Sequence, residues 1–319
     1  MHWPSIILYV ISSIFIIMAN KIVLTIFVFP SVMFIMWAQS IFTIIVFSLS
    51  KRPVFNNNNL KTLLLTCVLN VANVFFGLSG SGLLNVAMFA ALRRVNIATT
   101  MFAQSYFFSK PLVRNVVISV VIMLFGSIIA ASNDLTFNIR GYSFVMVNNL
   151  LTTGAQISQK AALKDNWSKE TIMFCTSLLT IVVSSFYIMN NVDLLYKFPF
   201  WPQPAFLLCL MGSITLGFII NWSCSWIIER NDALTLSVTG SSRSVILGLA
   251  VCLGLFDRSY IFTWPNFIGL QISGIGSLIY IHYSLKDDSI SKDVRQEVQI
   301  EHLEADVKEK AIICEEGNR

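Results

Sequence analysis

Residues 83–108 read LLNVAMFAALRRVNIATTMFAQSYFF, an apolar run of helical length with two arginines, Arg93 and Arg94, at its centre. If the pair marked a loop, the piece from Leu83 to Leu92 would be too short to cross a bilayer core of about 30 Å, and Val95 to Phe108 would be stranded. One transmembrane helix through both is the simpler reading. A guanidinium at mid-bilayer costs about 2.5–17 kcal/mol, depending on how it is measured, so each arginine must face protein, water or a ligand. Successive residues on a helix point about 100° apart, which keeps the two from facing one cavity.

Outward from this stretch, apolar runs of spanning length fill the chain. Ten are expected, at 5–27, 31–50, 61–79, 83–108, 112–131, 142–163, 171–190, 205–226, 233–255 and 262–284. Hydrophobic residues make up 55% of the 319 and charged ones only 12%, where a soluble domain carries roughly 25%. The fold class is therefore all-α, a polytopic membrane protein. Residues 1–285 form its ten-helix domain and 286–319 a charged tail. The first run has no basic segment before it and no small-residue cleavage site, so it reads as a retained helix. Five of the six cysteines lie inside apolar runs with no C-x-x-C pair, and the three histidines lie near chain ends or a membrane boundary. This excludes a disulfide framework, a zinc site and His-based catalysis. No cofactor and no enzymatic activity are expected, since no carboxylate pair or activated nucleophile lies within the runs.

Lys and Arg are distributed unevenly. Of the 22, fifteen fall in the tail or in and beside one alternate set of connections, and three (Arg140, Lys197, Arg258) in the other set. The remaining four, Lys21, Arg93, Arg94 and Arg243, lie within helices. The positive-inside rule then places both termini in the cytosol. Six basic and ten acidic residues fall in the tail, against sixteen and seven in the rest, so the membrane body is strongly positive. Without a Lys/Arg-rich run or an RNA-binding motif, that charge points to a small anionic solute and not to nucleic acid.

The two halves mirror each other in where these cations lie. Lys21 falls late in the first run and Lys160 late in the sixth; Arg93 and Arg94 are midway along the fourth, and Arg243 midway along the ninth. Helices five apart run in opposite directions, so the pattern is that of inverted repeats, about 5–131 and 142–284, with the substrate at mid-membrane between them. Arg243 follows Gly240, Ser241 and Ser242 and precedes Ser244, small residues that leave room beside a guanidinium able to grip phosphate oxygens bidentately. All the acidic residues of the body fall in connections or at helix ends. Uncompensated positive charge implies an anionic ligand, and the absence of intramembrane carboxylates favours anion exchange over proton or sodium coupling. Asn148, Thr152 and Gln156 share one face of the sixth run, with Asn149, Gln159 and Lys160 nearby and Asn85 in the fourth. These read as interhelical hydrogen-bonding groups or as substrate contacts.

The segment from Leu84 to Arg94 resembles the fourth-helix signature of nucleotide-sugar transporters of the drug/metabolite transporter superfamily, in the branch of UDP-glucuronate/UDP-N-acetylgalactosamine and GDP-mannose carriers. Asn20-Lys21 with Leu24-Thr25 and Phe29-Pro30-Ser31 resembles the family's first helix, and Asn148-Asn149 through Lys160 its sixth. Tyr260 to Tyr280, through Trp264, Gly269, Ser273 and Gly276, is similar to its tenth. The resemblance implies a Golgi or endoplasmic reticulum antiporter that imports a cytosolic nucleotide sugar, UDP-sugar favoured, in exchange for nucleoside monophosphate. It puts Arg243 where the family has a phosphate-reading Lys. Departures are Gly82, Ala87, Cys175-Thr176-Ser177 after Phe174, and Ser244, which leave the base open. The expected partners are nucleotide sugar, nucleoside monophosphate and the bilayer, with a homodimer left open. The alternatives are a GDP-sugar carrier and a non-transporting member acting through protein partners.

A tag on the C-terminus is expected to be cleaved by protease added outside sealed microsomes, and Asn166-Trp167-Ser168 to remain unglycosylated. Protection of that tag refutes the topology.

Overall fold

The structure, a computed structural model, describes residues 2–50, 59–83, 92–109, 112–131, 139–240, 264–265, 267–269 and 271–283. In chain order its elements are α1 (Trp3–Lys21), a π-helical turn (Ile22–Ile26), α2 (Val32–Ser50), α3 (Leu60–Leu83), α4 (Val95–Phe108), α5 (Arg114–Ala131), α6 (Ile139–Lys164), α7 (Lys169–Met189), the short α8 (Val192–Tyr196), α9 (Pro204–Arg230), α10 (233–240) and α11 (271–283). No strand occurs among the described residues. Trp3–Leu24, Val32–Ser50, Leu60–Gly77, Lys169–Met189 and Pro204–Arg230 are long and apolar enough to cross a membrane, the make-up of a polytopic membrane protein. The parts of the expected runs at 84–91 and 241–263, and the tail 286–319, lie outside the described residues.

Local chemistry sets the helix ends. Pro4 lies in the first turn of α1 and Pro204 opens α9, where the missing N–H would have had no helical partner. Ser168 caps α7 by accepting from the Thr171 N–H at 3.1 Å. After α1 the chain widens into the π turn, with the Phe27 N–H reaching the Ile22 carbonyl at 3.1 Å, and then leaves the helix ahead of Pro30.

The fourth run departs from the unbroken helix expected of it. Leu92 and Arg93 are helical, Arg94 is a turn, and α4 starts afresh at Val95 with only 14 residues. The Ile97 N–H bonds the Arg94 carbonyl at 3.0 Å, a tightened three-residue turn. Interrupted backbone is tolerated at membrane depth where protein or a cavity surrounds it, and Arg94 is 1% exposed.

Packing follows pairs of helices. α3 lies mainly against α6, α1 against α9 and α2 against α7. At one end of the bundle an aromatic cluster, Phe27, Phe29, Phe34, Phe198, Trp201 and Phe206, joins the α1–α2 and α8–α9 connections, mostly in edge-to-face contacts such as Phe29 on Phe198 at 5.0 Å and 90°. At the other end Thr62 bonds Asp165 at 2.9 Å, and the Trp167 indole donates to the Asn59 carbonyl at 3.3 Å.

The contact of α5 with residues 267–269 and α11 depends on small residues. A Cβ on Gly126 would lie 2.5 Å from the Gly269 carbonyl oxygen and 2.6 Å from the Ser273 nitrogen; one on Gly269 would strike the Ala130 and Gly126 backbone. Backbones approach this closely only where side chains are absent. Gly126→Ala and Gly269→Ala are each expected to cost about 1–3 kcal/mol, read as a lower thermal midpoint in detergent. Gly212→Ala, whose Cβ meets nothing within 4 Å, is the control and should be neutral or slightly stabilising.

Candidate functional site

Apolar helices that carry amides and hydroxyls must pair them inside the protein, because lipid offers no hydrogen bonds. α6 does this for most of its polar side chains, while the Asn148 amide and the Asn149 side-chain oxygen have no partner among the described residues. Asn149 donates to the Leu92 carbonyl at 2.9 Å, Thr152 to Asn73, and Thr153 to the Asn96 side-chain oxygen at 2.9 Å. Ser237 of α10 donates to Gln156 at 2.8 Å, and Gln159 donates to Ser225 of α9 at 2.8 Å. α3, α4, α6, α9 and α10 are thereby joined around one polar interior.

Two cavities open in it. The larger, about 220 Å³, is lined by Tyr9, Asn73, Arg93, Arg94, Gln156 and Gly240 among others. The smaller, about 140 Å³, lies between α2, α3, α7 and α9 and is lined by uncharged groups such as Gln39, Thr43, Thr176, Ser177 and Thr180. Both are lined by Asn70, Val74, Gln159, Asn221 and Cys224, so they adjoin. One end of the space is cationic and the other neutral and hydroxylic.

Arg94 is the outstanding group. It is 1% exposed, and its Nε, Nη1 and Nη2 have no hydrogen-bond partner among the described residues. A buried guanidinium left in that state is strongly disfavoured unless something else supplies oxygens. Its five donors suit the paired oxygens of a phosphate. Arg93 and Arg94 line the same cavity, which the 100° argument had ruled out. Arg94 keeps a right-handed helical backbone, φ −69° and ψ −20°, so the two long side chains reach one cavity from adjacent positions on the helix.

The other residues singled out from the sequence are placed as follows. Gly240 ends the described part of α10 and lines the cavity; a Cβ there would sit 3.1 Å from the Tyr9 hydroxyl. Arg243, Ser241, Ser244 and Asn85 lie outside the described residues. Lys21 is the last residue of α1. Asn148 is buried against Gly77, where a Cβ would lie 3.1 Å from its side-chain oxygen. Asn149 is buried beside Leu92. Lys160 donates to the Ile228 and Asn231 carbonyls, each at 2.7 Å, and lies 3.9 Å from Asp232. It joins α6 to the end of α9, where the Asn231 side chain also accepts from the His2 N–H at 2.8 Å.

Sequence reasoning missed Tyr9, Asn70, Asn73, Asn96 and Asn221. The four asparagines carried a usable signal, an amide inside an apolar run; Tyr9 carried none, since aromatics are common throughout the chain.

A buried guanidinium with no hydrogen-bond partner among the described residues thus borders a polar cavity in a membrane-type bundle. No protein-family model matches the chain. It is 32% identical over 288 residues to the UDP-sugar transporter UST74c of Drosophila melanogaster, covering 87% of this chain and 76% of that one. It is 31% identical over 295 residues to the nucleotide sugar transporter SLC35D2 of Homo sapiens, covering 89% and 87%. A solved crystal structure shares its fold at a TM-score of 0.62 and 15% identity, over 87% of this chain and 98% of its own. The chain belongs to the nucleotide-sugar transporter family, whose members carry solutes and are not enzymes.

Replacing Arg94 by Met is expected to stabilise the ligand-free protein by at least about 1 kcal/mol, because an unpaired charge is removed from the interior. A thermal midpoint that falls instead shows that the guanidinium is paired.

Proposed function

We propose that this chain is an antiporter that moves a cytosolic nucleotide sugar, a UDP-sugar before a GDP-sugar, into the lumen of the Golgi or endoplasmic reticulum in exchange for nucleoside monophosphate. The observation that carries the reading is Arg94, buried beside a polar cavity with no described partner for any of its three nitrogens. Both exchanged species carry phosphate, and a phosphate is the anion that a guanidinium fork holds best. The lack of carboxylates in the apolar runs supports exchange, since a proton- or sodium-coupled carrier ordinarily needs an ionisable group for the coupling ion. The uneven Lys/Arg distribution supports cytosolic termini.

In this reading Arg94 and Arg243 bind phosphate, and Gly240, Ser241 and Ser244 leave space for it. Arg93 and Lys21 add positive potential along the path. Asn148 and Asn149 shape the wall around the Arg93–Arg94 turn and Asn85 contacts substrate, while Lys160 fixes α6 to the end of α9 through its two carbonyl bonds.

Proteoliposomes preloaded with UMP are expected to take up UDP-sugars faster than empty ones, and faster than GMP-loaded ones take up GDP-mannose. No exchange of any UDP- or GDP-sugar refutes the proposal. Arg243→Ala and Arg94→Gln should each lower exchange about 100-fold or more in folded protein, the loss expected when a bidentate charge-assisted pair is removed. Wild-type rates in both variants remove the assigned roles.

A further inference from the structure

The two cavities meet at a small group of shared residues, and one of these differs from every other amide around them. Gln39 donates to the Ser213 carbonyl at 3.1 Å, and Asn70 to the Thr66 carbonyl at 2.9 Å. Asn73 accepts from Thr152, Asn96 from Thr153, Gln156 from Ser237, and Gln159 donates to Ser225. Asn221 of α9 lines both cavities, is exposed, and makes no hydrogen bond to another described residue. Its carbonyl and its NH₂ are both uncommitted. An amide in that state on the wall of a polar cavity can donate to and accept from a ligand that displaces water.

We infer that Asn221 is the residue that holds the nucleoside base. The inference rests on the antiport reading above. With phosphate at Arg94, a substrate long enough to leave the cationic cavity passes Asn221 on its way into the neutral one. Nucleotide sugar and nucleoside monophosphate share only the nucleoside beyond that phosphate, so a site serving both must grip the nucleoside. A side-chain amide presents one acceptor beside donors, the complement of the adjacent C=O and N–H on the imide edge of uracil or the amide edge of guanine. The hydroxyls of Thr176, Ser177 and Thr180 lie further into the neutral cavity.

Asn221→Ala is expected to raise the KM for UMP and for UDP-N-acetylgalactosamine alike, about tenfold, with the maximal rate retained, as befits two neutral hydrogen bonds lost. Asn221→Gln, which keeps the amide one methylene further out, should recover part of the affinity. A rise confined to the nucleotide sugar assigns Asn221 to the sugar and overturns the inference. A lower maximal rate at unchanged KM makes it a structural residue and overturns it too. Absence of any exchange by the wild-type protein overturns the antiport reading, and this inference with it.

Discussion

A charge inside a bilayer has to be answered, and the organisation of this protein follows from that requirement. Water is absent, lipid offers no partners, and helices can satisfy only their own backbone. Side-chain amides and hydroxyls therefore gather between helices, where Asn96, Thr153, Gln156 and Ser237 answer one another. The same rule applied to Arg94 gives a different result. Its helix is interrupted, its guanidinium is enclosed, and no described protein atom accepts from it.

The two ends of the bundle are closed by different physics. At one end edge-to-face rings fill the space between the α1–α2 and α8–α9 connections, with contacts that are short in range and weakly directional. At the other, Lys160 and His2 reach the end of α9 through hydrogen bonds of defined length. Closure by rings tolerates small displacements, whereas closure by an ammonium on two carbonyls is lost as soon as the geometry slips. Between them lies the polar space, cationic at the α4 side and neutral toward α2 and α7.

The helical, membrane-embedded character of the chain was legible because it rests on a property summed over many residues. Runs such as 31–50, 171–190 and 205–226 correspond closely to α2, α7 and α9. The turn at Arg94 was not legible, because hydropathy and length carry no mark of a local turn. The hydrogen-bonding role of α6 was foreseen as a face of Asn148, Thr152 and Gln156, but its partners Asn73, Ser225 and Ser237 come from distant segments. Pairing of that kind is a property of helix packing and leaves no periodic trace in either segment. Asn70, Asn73, Asn96 and Asn221 were visible as costly amides, yet which of them would remain uncommitted depended on the finished interior.

The glycines where α5 meets α11 have a consequence beyond compactness. Because Gly126 and Gly269 bring two backbones into direct contact, sliding the segment 267–269 along α5 by one residue would set Ile268 where only a hydrogen fits. The pair therefore works as an indexing stop that fixes the height of the last helix against its neighbour. The depth at which Ser273, Gly276 and Ser277 face α5 is set by two residues that contribute no side chain at all.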